Sequence, residues 1–137
     1  MHACLRITTP FALLSSYSTP FELRHALQLS KATRVFVDAK FLPIVIPVAK
    51  ELGIRDDRIY VLKDPKGLKE AKGRKSFWSI IKDVRRRKAK IVDVRPAKKD
   101  TLAYLVFSSG TSGPPKGMFY FLLSNFTPYS LQPLKRS

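Results

Sequence analysis

Hydroxyl, glycine and lysine residues cluster between positions 108 and 117 in a pattern suited to holding an anion. The apolar run Leu105-Val106-Phe107 leads directly into Ser-Ser-Gly-Thr-Ser-Gly-Pro-Pro-Lys-Gly. Backbone N–H groups in a glycine-containing turn converge on a phosphate with little steric hindrance, and hydroxyl groups and a lysine ammonium add further donors. The pattern therefore predicts a phosphate-binding loop at the end of a buried strand. The candidate phosphate-binding residues are Ser108, Ser109, Gly110, Thr111, Ser112, Gly113 and Lys116.

This loop differs from the Walker loop of nucleoside triphosphatases. The Walker pattern places glycine directly before its lysine and serine or threonine directly after it. In this chain Pro115 precedes Lys116 and Gly117 follows it. Walker-type chemistry is therefore disfavoured, and the sequence assigns no catalytic and no metal-ligating residue.

The loop resembles the phosphate-loop signature of the adenylate-forming superfamily, which includes acyl-CoA synthetases, 4-coumarate–CoA ligases, luciferases and peptide-synthetase adenylation domains. Residues 105–117 fit this long signature at every position. Segments 18–37, 54–62 and 100–103 are similar to upstream parts of the same enzymes, though less specifically. The resemblance covers residues 15–118 and is greatest to fungal or plant aryl- and acyl-CoA ligases.

The resemblance implies an enzyme that uses ATP and Mg²⁺ to convert a carboxylate into an acyl-adenylate, releasing pyrophosphate. Coenzyme A, a co-substrate, then takes the acyl group. Residues 108–116 would hold the β- and γ-phosphates and act by positioning and electrostatic stabilisation. The resemblance also implies that the ribose-binding, acyl-pocket and C-terminal lysine segments are missing. We therefore expect a truncated N-terminal-domain fragment of an acyl-CoA ligase that is inactive alone.

Three regions are expected along the chain. Residues 1–14 are a possible leader or a truncated strand, and residues 15–118 form a partial ligase domain that includes a basic connection at 63–100. Residues 119–137 are a non-family tail, for which a frameshift or an unspliced intron is our hypothesis, tested by sequencing the transcript. The N-terminus resembles a weak organelle-targeting sequence, but Pro10 interrupts it, and we expect a cytoplasmic protein.

Alternating helix and strand patterns predict the α/β class, with a partial parallel sheet and flanking helices. Pro47 predicts a kink or a late start in the second helix. The run 101–107 is predicted to be a central strand buried on both faces. After a cap at Ser76, the apolar residues of the third helix have mostly core-like spacing. The predicted helices cover 19–31, 41–52 and 76–88, and the predicted strands cover 34–38, 58–62 and 101–107.

Charge supports a second reading. The chain carries a net charge of +16, and fifteen of its basic residues lie between Lys63 and Asp100 beside five acidic ones. Such density attracts polyanions, so the alternative is a small basic protein that binds nucleic acid or an anionic membrane through residues 63–99. A solvated surface loop is the simpler explanation. The binding residues would be Arg85, Arg86, Arg87, Lys88 and Lys90, with Trp78 or Phe77 stacking on bases.

The remaining composition excludes several classes of site. Cys4 is the only cysteine, so no intrachain disulfide forms. His2 and His25 are the only histidines, which excludes a multi-histidine metal site. No apolar run approaches the roughly 20 residues of a membrane-spanning helix.

Overall fold

The structure is a computed structural model that describes residues 1–63, 71–108, 116–122 and 129–130. The chain divides into two compact units, one formed by Met1–Ser18 with Val92–Ser137 and the other by Thr19–Ile91. The helices are α1 (His2–Arg6), α2 (Pro20–Ser30), α3 (Leu42–Glu51) and α4 (Phe77–Arg86). The strands are β1 (Phe11–Leu13), β2 (Val35–Val37), β3 (Ile59–Val61), β4 (Leu102–Ser108), β5 (Lys116–Phe121) and β6 (Tyr129–Ser130).

Helix α2 lies within the predicted range 19–31. The Thr19 hydroxyl accepts a hydrogen bond from the Glu22 N–H, and the Glu22 carboxylate accepts one from the Thr19 N–H at 2.7 Å. This reciprocal capping satisfies two N–H groups that the helix itself leaves unpaired. Lys31 ends the helix in a left-handed conformation. The helix buries Leu23, Ala26 and Leu27.

Helix α3 continues through Pro47, so the predicted late start is wrong. A proline inside a helix removes one N–H donor and leaves the carbonyl four residues earlier without its partner. That carbonyl belongs to Pro43, which lies one turn away and is exposed like Pro47 itself. Water can therefore satisfy it. Gly53 follows the helix with a φ of +72°, a conformation that favours glycine.

Strands β2 and β3 pair in parallel, with Val35 opposite Ile59 and Val37 opposite Val61. Helix α3 makes the connection, as the alternating pattern predicts. The pair is extended by a parallel bridge between Val61 and Ser76, the cap of α4. All four strand residues are buried. The parallel part of the predicted fold is therefore confirmed in this unit.

The other unit contains a mixed sheet in the order β1-β4-β5-β6. Strand β1 lies in parallel beside β4, whereas β4–β5 and β5–β6 are antiparallel. Residues 1–14, for which a leader or a truncated strand is expected, contain α1 and β1. The predicted α/β class is confirmed. The antiparallel strands β5 and β6 were not predicted from the sequence.

Strand β4 is central, as predicted, because β1 and β5 flank it. Its predicted burial on both faces is wrong. Ala103 and Leu105 are 4% and 3% exposed, but Tyr104 and Val106 on the alternate positions are only half-buried. The more open face carries the rings of Phe11, Tyr104 and Tyr120, which stack on one another across the strands.

Candidate functional site

The candidate phosphate-binding loop connects two paired strands. In the β4–β5 ladder, Ser108 lies opposite Lys116, directly after the pair formed by Phe107 and Gly117. Directly opposite residues in an antiparallel ladder have Cα atoms about 4.5–5.5 Å apart. The two ends of the loop are therefore held together by backbone pairing. Of the predicted residues, Ser109, Gly110, Thr111, Ser112 and Gly113 lie outside the described residues.

Three stacked aromatic rings fix the register that places Lys116 at the end of the loop. The Phe11 and Tyr104 rings have centroids 5.6 Å apart, and those of Tyr104 and Tyr120 are 4.7 Å apart, with interplanar angles of 20° and 12°. These rings belong to β1, β4 and β5 and are register partners. Cross-strand aromatic pairs stabilise a given register. Because side chains alternate along a strand, Tyr120, Met118 and Lys116 share one face of β5.

The chemistry available at the loop ends is cationic. Lys116 is exposed at the first position of β5. Among the described residues, no three His, Cys, Asp or Glu side chains form a group that could hold a metal ion. We assign no residue to the Mg²⁺ that the resemblance implies.

The hairpin and the aromatic stack were not predicted from the sequence. A signal was present, because glycines and prolines separate the apolar run of β4 from a second apolar and aromatic run, Met118–Phe121. Two such runs around a glycine-containing segment are typical of a β-hairpin. The pairing of β4 with β1 has no local sequence signal, because Phe11 and Tyr104 are distant in the sequence.

The residues named for polyanion binding lie on α4 or just after it. Ser76 caps the helix as predicted, and its hydroxyl accepts a hydrogen bond from the Ser79 N–H at 3.0 Å. The predicted core-like role of its apolar residues is wrong, because no residue of α4 is buried. Phe77 contacts Phe36 of the neighbouring strand β2 edge-on, with the ring centroids 6.0 Å apart, and Ile80 and Ile81 are half-buried.

One carboxylate lies among these cations. Asp83 forms ion pairs with Arg86 and Arg87, one turn later on the helix. The hydrogen bond from Arg86 is the main reason that the pKa of Asp83 lies below its ordinary value, and the charges of both arginines add to the effect. Asp83 therefore stays ionised at neutral pH and occupies two of the arginines.

The sequence matches the family of AMP-binding enzymes over residues 1–122. The chain belongs to the AMP-binding enzyme family. The predicted membership of the adenylate-forming superfamily is thereby confirmed. No curated protein matches the chain.

Several solved structures share the fold of this chain. The anthranilate CoA ligase AuaEII, solved in complex with anthranoyl-AMP, is 23% identical with a TM-score of 0.63 over 80% of this chain. A red-emitting luciferase from Phrixothrix hirtus is 23% identical with a TM-score of 0.64 over 83%. The luciferase-like enzyme from Zophobas morio is 18% identical with a TM-score of 0.58 over 84%. At these identities the likeness concerns the fold alone.

This AMP-binding family member spans 20%, 27% and 31% of the lengths of those three structures. The family match begins at Met1 and ends at Leu122, whereas the similarity read from the sequence covers 15–118. Within the described residues, no helix has the length and apolar character needed to cross a membrane.

Proposed function

We propose that this chain carries the phosphate-binding hairpin of an ATP-dependent acyl-CoA ligase. In the proposed reaction a carboxylate oxygen attacks the α-phosphorus of ATP, and the bond from that phosphorus to the pyrophosphate oxygen breaks. The products are an acyl-adenylate and pyrophosphate. The thiol of coenzyme A then attacks the acyl carbon, forming the thioester and releasing AMP. Membership of the AMP-binding enzyme family supports the nucleotide half of this proposal.

The pairing of Ser108 with Lys116 is the observation that carries the proposal. A loop that must wrap a phosphate chain loses less entropy on binding when its ends are already fixed. Strands β4 and β5 provide such an anchor, and their register is supported by the Tyr104–Tyr120 stack. The loop would act by electrostatic stabilisation of pyrophosphate as it leaves, because donors held in place need no reorganisation during the reaction.

Lys116 is the residue that we expect to contribute most charge at this site. Its ammonium group would contact the β- or γ-phosphate and stabilise the negative charge that builds up on pyrophosphate. This role is separate from that of the adenylation lysine of the full-length family, which lies in a C-terminal domain. AuaEII binds anthranoyl-AMP. By analogy the proposed substrate is a carboxylic acid.

Titration of the purified chain with pyrophosphate, followed by ³¹P NMR, tests the loop directly. We expect Lys116→Ala to weaken binding about tenfold or more, because a hydrogen bond to a charged group contributes about 1.5–3 kcal/mol. Lys98→Ala is the matched control, since Lys98 is exposed and its hydrogen bonds with Thr101 are made by its backbone N–H and carbonyl groups. Equal affinity of the wild type and Lys116→Ala, or equal losses in both variants, would contradict the proposed role.

The expected inactivity of the chain alone needs a separate measurement. We expect ATP–pyrophosphate exchange to be weak or undetectable with a range of carboxylic acids. Robust exchange that is lost in Lys116→Ala would show that these 137 residues catalyse adenylation themselves. That result would contradict the expected inactivity and would agree with the proposed role of the loop.

A further inference from the structure

Residues 75–91 form a second surface, which we call the basic amphipathic segment. It consists of α4 with its flanking residues. Three large apolar side chains on α4 remain open to solvent, with Phe77 42% exposed, Trp78 51% and Val84 47%. Ile91, after the helix, is 77% exposed. Isolated exposed apolar residues are common, but several on one helix mark an interaction surface.

The apolar side chains lie along one side of α4. Phe77, Ile81 and Val84 are spaced by four and three residues, so they form a stripe on one helix face. At 100° per residue, Trp78 and Arg85 lie next to each other at one border of this stripe. Lys82 and Arg86 lie on the opposite side. The helix therefore separates an apolar face from a cationic one.

The charge of the segment is strongly positive. Between Lys75 and Lys90 it contains seven basic residues and a single acidic residue, Asp83. Asp83 pairs with two arginines, Arg86 and Arg87. The cations outside these ion pairs include Lys82 on the helix and Lys88 just beyond it, so the segment as a whole repels cations and attracts anions.

We propose that the basic amphipathic segment is a peripheral binding surface for anionic lipid membranes. A helix with a strong separation of faces, Lys and Arg on the polar side and Trp or Phe on the other lies in the membrane interface with its apolar side chains in the acyl boundary. In this chain Phe77, Trp78 and Val84 enter that boundary. The arginines and lysines contact the lipid phosphates and carboxylates.

The composition of the apolar face favours a membrane over nucleic acid. Nucleic acids are bound through phosphate contacts and through flat rings that stack on bases. Phe77 and Trp78 suit stacking, but the aliphatic side chains of Ile81, Val84 and Ile91 serve neither purpose. In a bilayer interface the four exposed side chains, Phe77, Trp78, Val84 and Ile91, gain from leaving water.

Trp78 provides the measurement, because it is the only tryptophan in the chain. The purified 137-residue protein is mixed with vesicles of phosphatidylcholine alone, or of phosphatidylcholine with 30% phosphatidylserine, at low salt. We expect cosedimentation and a blue shift of Trp78 emission with the anionic vesicles only. Added salt should weaken this binding, since surface charges are screened within about 10 Å at 0.1 M.

Two variants separate the contributions of charge and apolar area. Arg85→Gln with Lys88→Gln should lower the partition coefficient about 25-fold, because each cation near an anionic surface contributes about fivefold. The control, Lys98→Gln with Lys99→Gln, removes the same charge outside the segment and should change binding little. Val84→Asp should remove the blue shift. Far-ultraviolet circular dichroism shows whether each variant is folded. If Val84→Asp unfolds, the Arg85→Gln, Lys88→Gln variant still tests the proposal, because both residues are exposed and their replacement should not unfold the chain.

Several results would overturn the proposal. Equal binding to the two vesicle types, or equal losses in the two double variants, would do so. The proposal would also be overturned if the chain bound an oligonucleotide through Arg85 and Lys88 but did not bind the vesicles. The proposed ligase function is independent of these outcomes, because pyrophosphate binding should be unchanged in the Arg85→Gln, Lys88→Gln variant.

Discussion

Strand β4 and helix α4 are both rich in apolar residues, yet only the strand contributes to a core. Leu105 is 3% exposed between β1 and β5, whereas Trp78 of α4 is 51% exposed. The strand has a hydrogen-bonded neighbour on each side. The helix contacts the adjacent strand β2 through an edge-on contact between Phe77 and Phe36. The difference shows that apolar residues predict a tendency to leave water, but that neighbouring elements decide whether these residues are buried.

The same contrast separates two ways of binding an anion. Lys116 is a single cation whose position is set by strand register, so its effect depends on geometry. The basic amphipathic segment has many cations on an exposed helix, so its effect depends on charge density. A defined phosphate chain suits the first arrangement, and an extended anionic surface suits the second.

Truncation of one apolar side chain in each region should give the largest difference. Leu105→Ala should lower the free energy of unfolding by about 2–5 kcal/mol, because it leaves a cavity in a packed sheet. Val84→Ala should change it by about 0.5 kcal/mol or less, because Val84 is 47% exposed. Urea denaturation measures both. Similar losses in the two variants would show that α4 is packed as tightly as β4.

Removal of an aromatic ring should give a smaller difference in the same direction. Tyr104→Leu removes stacking with both Phe11 and Tyr120 and should lower the free energy of unfolding by about 1–2 kcal/mol. Trp78→Leu should have little effect on the same denaturation curve. Tyr17→Leu serves as a second control, since Tyr17 is 93% exposed. If Trp78→Leu lowered the free energy of unfolding as much as Tyr104→Leu, the proposed difference between the two regions would be contradicted.

The smallest effect concerns the pH dependence of α4. The pKa of Asp83 is below its ordinary value, so its ion pairs are complete at neutral pH and are lost as the pH falls through that lowered pKa. NMR titration of the Asp83 carboxyl carbon measures this. Arg86→Gln should raise the pKa more than Arg87→Gln, because the Arg86 hydrogen bond is the main cause. The reverse order would mean that Arg87 dominates the pairing.

Local signals predicted most of the unit Thr19–Ile91. The cap at Thr19, the glycine after α3 and the cap at Ser76 all mark element ends in the structure. These signals act between residues a few positions apart, so the sequence shows them directly. The late helix start predicted from Pro47 was wrong, because the cost of this proline depends on whether water reaches the carbonyl of Pro43, and only the fold determines that exposure.

The sequence predicted which residues form the candidate site, but it did not predict the hairpin on which they lie. The signature of residues 105–117 indicated the family, which the match over 1–122 confirms. Its five central residues, 109–113, lie outside the described part of the chain, and their phosphate contacts stay predictions. The hairpin that holds the loop ends, with Ser108 opposite Lys116, appeared only in the structure.

The sequence by itself determined the family, the positions of α2, α3 and α4, and the excess of positive charge. Each of these is a property of residue types at short separations. Tertiary structure alone decided that Phe11 stacks on Tyr104, that β5 returns along β4, and that α4 keeps its apolar side chains exposed. Strand partners and burial depend on contacts between distant residues, and many arrangements of such contacts are compatible with the same local pattern.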